Sequence, residues 1–504
     1  MGGVSLTVGA DRASDPSRRR GGVPLWFVAA VAGCIWAIAR RDFGAEGYFV
    51  PWLGSAVVLL GLSPALVRDL RRRHGQAVRP IPFVPLIGVI FAVYYGLPVL
   101  ISDRVTGLQL EAEVWSIHKA LSLALIGWAA VLAGYLVSAL SVRRVRPLNV
   151  DWDPARARRL ALLLIPIGLV AAGAHRLVDL PPSIAQPMRL ASSLLPVGIG
   201  IAILQGRRGQ ISRGIYLFAW LVLVPTWLAM ELSGGLLGAV VVGGLLVCML
   251  IWGTGGRIPL WLFVVGAITI ISLRAGARDY RRMMNNDEHL LASNPIERAG
   301  QLVALSFSAM PNQGMGERFE KIADRFSQLV PFAYVIERTP AAIPHWGGET
   351  YASLPSTFIP RFLWPDKPVK DVGQRFGHRY GIIDASDHST SINLPQLVEC
   401  YANFGAIGVL LGMFTLGAGY RFLDQLLNGV AASDASVLVA AVVFSSMANI
   451  ETDLSMVFGL VLQTLVVVFI VLRLAQRDPE GSRLPNQSLQ PQSGSAVVGA
   501  GGGA

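Results

Sequence analysis

The chain has 504 residues, of which 53% are hydrophobic and only 15% charged, with a net charge of +11. Soluble domains carry roughly 25% charged residues, so this composition, a mean hydropathy of +0.52 and repeated apolar runs exclude an ordinary soluble domain and predict a polytopic membrane protein. The positive charge does not point to nucleic acid, because the basic residues fall mostly in short loops between apolar runs, as topology determinants do.

Residues 1–22 are polar and contain Ser17-Arg18-Arg19-Arg20, which reads as a cytoplasmic tail. The apolar run from Pro24 to Ala39 is followed by Arg40-Arg41 and no small-residue cleavage site, so it reads as a retained first span. Further spans are expected at about 48–67, 81–101, 119–141, 160–174, 190–204, 215–232, 236–252 and 258–273, and then at about 403–420, 435–450 and 455–473. The expected fold is therefore all-α, with about twelve transmembrane helices: nine within 23–273, a large outward-facing loop region over 274–402, three more within 403–475, and a disordered tail over 476–504. Nine spans before the loop and three after it, with no internal repeat, argue against a two-half transporter without excluding one. With the N-terminus in the cytoplasm, alternating spans put 23 basic residues on the cytoplasmic side and six in the short outer loops. That bias orients the chain with both termini inside. Cys34, Cys248 and Cys400 lie far apart, match no metal-ligand spacing and imply no disulfide framework.

Within the outer region, Asn294-Pro295-Ile296-Glu297 combines an N-cap, a first-position proline and a third-position glutamate, and predicts a helix start. Apolar residues at Phe319, Ile322, Ala323, Phe326, Leu329 and Val330 have helical spacing. They predict an amphipathic helix, either on the membrane surface or packed by that face on the spans. Arg274, Arg278, Arg281 and Arg282 share one face if the preceding helix continues outward. They suit interfacial anchoring or bidentate binding of phosphate oxygens.

The stretch from Gly348 to Gly408 is unlike membrane sequence. Pro355, Pro360, Pro365 and Pro368 forbid a long regular helix, and Arg361, Lys367, Arg375 and Arg379 are interleaved with aromatic residues. Two basic clusters facing one compartment favour a phosphorylated ligand. No G-x-x-x-x-G-K-S/T loop is present and no nucleotide is expected outside, so that ligand is expected to be lipid-linked. Acids at the outer boundary are Glu399, just before a span, and Glu231, Glu451 and Asp453 in short turns. His345, His378 and His388 also face outward, without any H-E-x-x-H pairing, and no metal site is expected.

At I-P-R-F-L-W-P-D-K-P (Ile359–Pro368) and E-C-Y-A-N-F-G-A-I-G (Glu399–Gly408) the chain resembles the bacterial oligosaccharide repeat-unit polymerases, the Wzy-type or O-antigen polymerases. The resemblance implies a GT-C-like integral membrane glycosyltransferase. Such an enzyme joins repeat units carried on undecaprenyl diphosphate at the outer face of the cytoplasmic (inner) membrane, without a cofactor. The O-antigen ligases share the architecture and stay open as an alternative, as does a flippase or transporter of lipid-linked oligosaccharide. The implied partners are the lipid-linked oligosaccharides, the bilayer, a chain-length regulator and a flippase. Arg278, Arg281, Arg361, Lys367, Arg375 and Arg379 would hold the diphosphate, and Tyr351, Trp364, Tyr401 and Asn403 the rest of the substrate. The candidates for general base are Glu399, His388, Asp387 and His378, with Glu399 preferred for its position at the loop-to-span junction.

Overall fold

The structure is a computed structural model. It describes residues 23–476 apart from 103–109, 284–293, 310–326, 360–363, 365–370, several positions between 260 and 282, and a few shorter pieces. The described elements are helices with no strand among them. In chain order they are α1 (Leu25–Arg40), α2 (Val50–Arg73), α3 (Phe83–Phe91), α4 (Val114–Val142), α5 (Pro154–Leu177), α6 (Pro182–Ser192), α7 (Leu194–Arg207), α8 (Arg213–Phe218), α9 (Val224–Leu232), α10 (Leu237–Gly253), α11 (Pro295–Ala309), α12 (Leu329–Arg338), α13 (Val372–Arg379), α14 (Gln396–Leu427), α15 (Asp434–Met447) and α16 (Leu454–Ala475). Among the described residues, seven helical stretches are long and apolar enough to cross a membrane, and α1, α3 with its extension to Gly96, α10 and α15 are shorter apolar helices. The run expected at 258–273 lies partly outside the described residues.

The centre of the bundle is the pair α4 and α14. Their backbones touch because glycines face the contact: a Cβ on Gly134 would stand 2.0 Å from Phe414 O, and one on Gly417 2.0 Å from Val131 O. Small residues at such crossings replace the hydrophobic drive that lipid cannot supply with close backbone packing. The same device joins α2 to α3, where Gly61 and Gly88 face each other's carbonyls.

One end of the bundle is fixed by polar groups at the foot of α14. Asp424 is buried; its Oδ2 lies 3.0 Å from Arg79 Nε and accepts from Tyr135 Oη at 2.5 Å. Asn428 bridges this group to the chain before α3, donating to Asp424 Oδ1 (2.7 Å) and Ile81 O (2.8 Å) and accepting from Ile81 N (3.1 Å). Leu148 N donates to Leu426 O nearby, and Arg208 forks onto Asp434 at 2.8–3.0 Å. Burial of an ion pair is tolerable only with this degree of hydrogen bonding.

The opposite end carries the loop region. A π-helical turn, Ala92–Gly96, extends α3. The Tyr94 carbonyl there accepts from Gln328 N at 3.0 Å, leading directly into α12. That helix is interior: Leu329, Val330, Phe332, Ala333 and Val335 are all 0% exposed. Residues 319–326 of the expected amphipathic helix lie outside the described residues. The part that is described packs into the bundle, because its apolar residues cover more than one face. The helix start expected at Asn294 is found: Asn294 Oδ1 accepts from Ile296 N (3.0 Å) and Glu297 N (2.9 Å), and α11 begins at Pro295. Several boundaries differ from the sequence expectation. The span expected from 160 begins at Pro154, and the one expected from 403 begins at Gln396, because helices extend past their apolar cores into polar turns.

Candidate site at a broken helix

The helix α14 breaks after its second turn. Gly405 has φ 65° and ψ −150°, backbone angles essentially restricted to glycine. A break in a membrane helix frees carbonyls that must find partners inside the protein. Here the partners come from the loop before the proline-rich stretch: Trp346 N donates to Ala402 O at 3.0 Å and Gly347 N to Asn403 O at 3.2 Å. Asn403 locks the same loop with its side chain. Its Oδ1 accepts from Gly348 N (2.9 Å), and its Nδ2 donates to Thr350 Oγ1 and to Glu399 O, each at 2.8 Å. With φ 93°, Gly348 occupies the left-handed region that lets the loop turn over Phe404.

Glu399 sits in the first turn of α14 and is 1% exposed. Its Oε2 accepts from Leu454 N at 2.8 Å, so the carboxylate caps the first amide of α16 while its own helix N-terminus lies behind it. Its Oε1 is buried without a hydrogen bond; the Thr350 hydroxyl stands beside the carboxylate but outside bonding geometry. Asp453 is the N-cap of α16, accepting from Met456 N at 3.0 Å.

His345 occupies the mouth of the break and is exposed. Its Nδ1 lies 3.3 Å from Ala402 O. A carbonyl only accepts, so Nδ1 carries the hydrogen, and in the neutral ring the lone pair is on Nε2. That nitrogen faces Gly405, where a Cβ would stand 3.4 Å from it. The ring meets Tyr401 edge-on at 6.1 Å.

Beside His345, Trp346 carries two guanidinium groups, with Arg379 at 4.5 Å and Arg375 at 5.7 Å from the ring centroid. Both come from α13, whose other face is buried through Val372 and Phe376. They converge on Glu349: Arg375 Nη1 donates to Oε1, and Arg379 Nη1 to Oε2 at 3.4 Å.

The residues singled out in the sequence divide accordingly. Arg375 and Arg379 are brought together at the broken helix. Arg278, Arg281, Arg361, Lys367 and His388 lie outside the described residues. Trp364 is 38% exposed. Tyr401 and Asn403 serve the fold: Tyr401 Oη donates to Thr339 O at 3.2 Å, and the amide of Asn403 is fully used. Tyr351 stacks on Phe404 at 6.3 Å and points its hydroxyl at Cys400 Sγ, 3.7 Å away. Burial pushes that hydroxyl well above its ordinary pKa, so it is a donor and not a base. His378 is half-buried on α13, and the Asp387 carboxylate accepts from Thr390 N at 2.9 Å. Neighbouring Asp384 is held below its ordinary pKa by the Ser386 hydroxyl and amide. Glu231, expected in a turn, lies within α9. Sequence reasoning passed over Glu349 and gave His345 no role. The G-x-x-G spacing of Gly405 and Gly408 inside an apolar run was the available signal for a break.

A small apolar gap lies between the two arms of α14, with Gln396 and Leu397 on one and Met413 and Tyr420 on the other, walled by Phe91, Tyr95 and Trp128. Its lining suits no charged group.

The profile of a family described as "Domain of unknown function (DUF8712)" matches residues 34–474. No curated protein and no solved structure matches.

Proposed function

The chain belongs to the DUF8712 family, and we propose that it is a membrane glycosyltransferase that joins lipid-diphosphate-linked oligosaccharide repeat units into a surface polysaccharide. In this reading it has about twelve spans in a GT-C-like arrangement in the cytoplasmic membrane. Both termini are inside, and the broken end of α14 faces outward. The observation that carries the reading is the exposed His345, with Nε2 left as acceptor at a helix break and a pair of arginines alongside.

Those groups match the needs of the transfer. A sugar hydroxyl of one lipid-linked unit attacks the anomeric carbon of the glycan on a second lipid. The C–O bond to the diphosphate breaks, and the hydroxyl proton goes to His345 Nε2, a transfer worth about 10²–10⁴-fold. Arg375 and Arg379 offset the charge on the departing diphosphate, with Arg361, Lys367, Arg278 and Arg281 as further candidates. No nucleotide is consumed, since the diphosphate is already attached. Glu399 keeps no exposed oxygen and braces α14 against α16, so the base role passes from it to His345.

Purified protein in liposomes, given lipid-diphosphate repeat units and no energy source, should make longer chains, and His345→Gln should stop this with the thermal midpoint unchanged. Absence of chain growth with the wild-type protein, across repeat units from the source cell, would overturn the reading. A broken helix is also the device that transporters use to bind substrate at mid-membrane, which makes a flippase the second reading. In the same liposomes a flippase moves the lipid-linked unit without lengthening it, and an O-antigen ligase transfers glycan to a lipid core in place of a second unit.

A further inference from the structure

Two arginines and one carboxylate form a closed figure over Trp346. Each oxygen of Glu349 faces its own guanidinium, Arg375 at Oε1 and Arg379 at Oε2. This is the arrangement two oxygens of a phosphate would take between the same arginines. Arg379 is also aimed by its second nitrogen, which donates to Pro344 O at 2.9 Å, and Arg375 Nε lies 3.1 Å from Asp371 Oδ1 at ion-pair distance without hydrogen-bond geometry. The three side chains are open to solvent, at 36%, 29% and 48% exposure for Arg375, Arg379 and Glu349. Ion pairs so exposed contribute little to folding.

The partners come from different elements. The arginines rise from α13. Glu349 opens the 3₁₀ turn Glu349–Ser353, and its amide donates to Trp346 O at 3.1 Å on the loop clamped to the broken helix. Its backbone is therefore fixed independently of the ion pairs, and parting them needs only side-chain rotation.

We propose that the Arg375–Arg379 pair is a binding site for a diphosphate group and that Glu349 is its built-in occupant, displaced when the diphosphate of the substrate arrives. This deepens the polymerase reading and rests on it for the identity of the lipid; the chemistry recognised is the diphosphate itself. A closed pair would also reject singly charged anions that cannot compete with a carboxylate already in place.

The test is calorimetric titration of the detergent-purified full chain with two probes, geranylgeranyl diphosphate and inorganic pyrophosphate. Glu349→Gln keeps the side chain's shape and removes its charge, and should bind about three- to tenfold more tightly than wild type. Glu349→Ala should show the same gain, and Arg379→Ala should lose about tenfold or more. Asp384→Asn removes an equal charge from the same loop region without touching the arginines and should change affinity less than twofold. Gains with both probes mark the free diphosphate group as sufficient, and gains with the prenyl probe alone mark the lipid as required. If neither Glu349 variant gains, or Asp384→Asn gains as much, the built-in occupant is refuted even where the wild type polymerises and binds both probes. If no form of the protein binds either probe, the diphosphate site is refuted together with the donor assumed for the polymerase.

Discussion

Replacing Gly405 by alanine tests whether the break in α14 has a function. Two costs can be worked from the structure. A Cβ at φ 65°, ψ −150° enters a backbone region essentially closed to other residues, worth about 1–3 kcal/mol. The new methyl would also stand 3.3 Å from Cε1 and 3.4 Å from Nε2 of His345, so the imidazole must shift by a few tenths of an ångström. Its hydrogen bond to Ala402 O is 3.3 Å long and has little strength to spare. Closing into regular form is no escape, because the two arms of α14 fold on each other, with Tyr420 Oη donating to Gln396 Oε1 at 3.4 Å. The strain therefore falls on the break and on the histidine. The expected outcome for Gly405→Ala is a membrane-inserted protein with a lowered thermal midpoint in detergent and chain growth reduced at least tenfold. Gly408→Ala would be uninformative, because its Cβ meets the Cys400 carbonyl at 2.2 Å. An unchanged melting curve and an unchanged ladder of products from Gly405→Ala would refute the reasoning that the break positions the site.

Four further outcomes are expected. A reporter active only outside the cytoplasm should be active when fused near Asp366 and silent near Arg146 or Arg213, and activity at Arg146 would invert the orientation. Asn403→Ala strips three buried hydrogen bonds and should lower stability by about 3 kcal/mol or more, read by thermal or denaturant unfolding; a change below about 1 kcal/mol would deny it the bracing role. Glu399→Gln keeps an acceptor for Leu454 N and should retain chain growth, whereas Glu399→Ala leaves that amide unpaired and should melt earlier by about 1–3 kcal/mol; a stable but inactive Gln variant would return the base role to Glu399. Arg278→Ala and Arg361→Ala should each reduce polymer about tenfold with the protein still inserted, and Arg361→Lys should not restore it fully, since lysine lacks the bidentate fork; normal polymer from both alanine variants would leave those arginines as membrane anchors.

Much of the architecture is legible because lipid imposes it. Apolar runs of membrane length mark α2, α4, α5, α14 and α16 directly, and the N-cap at Asn294 is written in four residues. The break at Gly405 is harder to read, since a glycine in an apolar helix is as often a packing position, as Gly134 and Gly417 are. Which glycine bends and which packs depends on the neighbour that approaches it, and that neighbour is His345, sixty residues earlier in the chain. Glu399 shows the opposite failure. Sequence places it just before a span, whereas it lies inside the first turn of α14 with the amide of Leu454 on a different helix as its partner, and no local pattern announces a contact of that separation. The pairing of Arg375 and Arg379 with Glu349 was hidden for the same reason, since the partners stand 26 and 30 residues apart in the chain.

The two ends of α14 differ in what holds them. Its foot is bolted by Asp424 and Asn428 to Arg79, Tyr135 and Ile81, and its middle is in backbone contact with α4. The upper two turns are attached to loops and to the start of α16, and the joint between the two parts is a single glycine. The first two turns fold back on the rest at that joint, with Tyr420 Oη 3.4 Å from Gln396 Oε1 and Cys400 against Gly408 and Gly412, so the loop-bearing arm and the foot lie side by side and a push on one reaches the other.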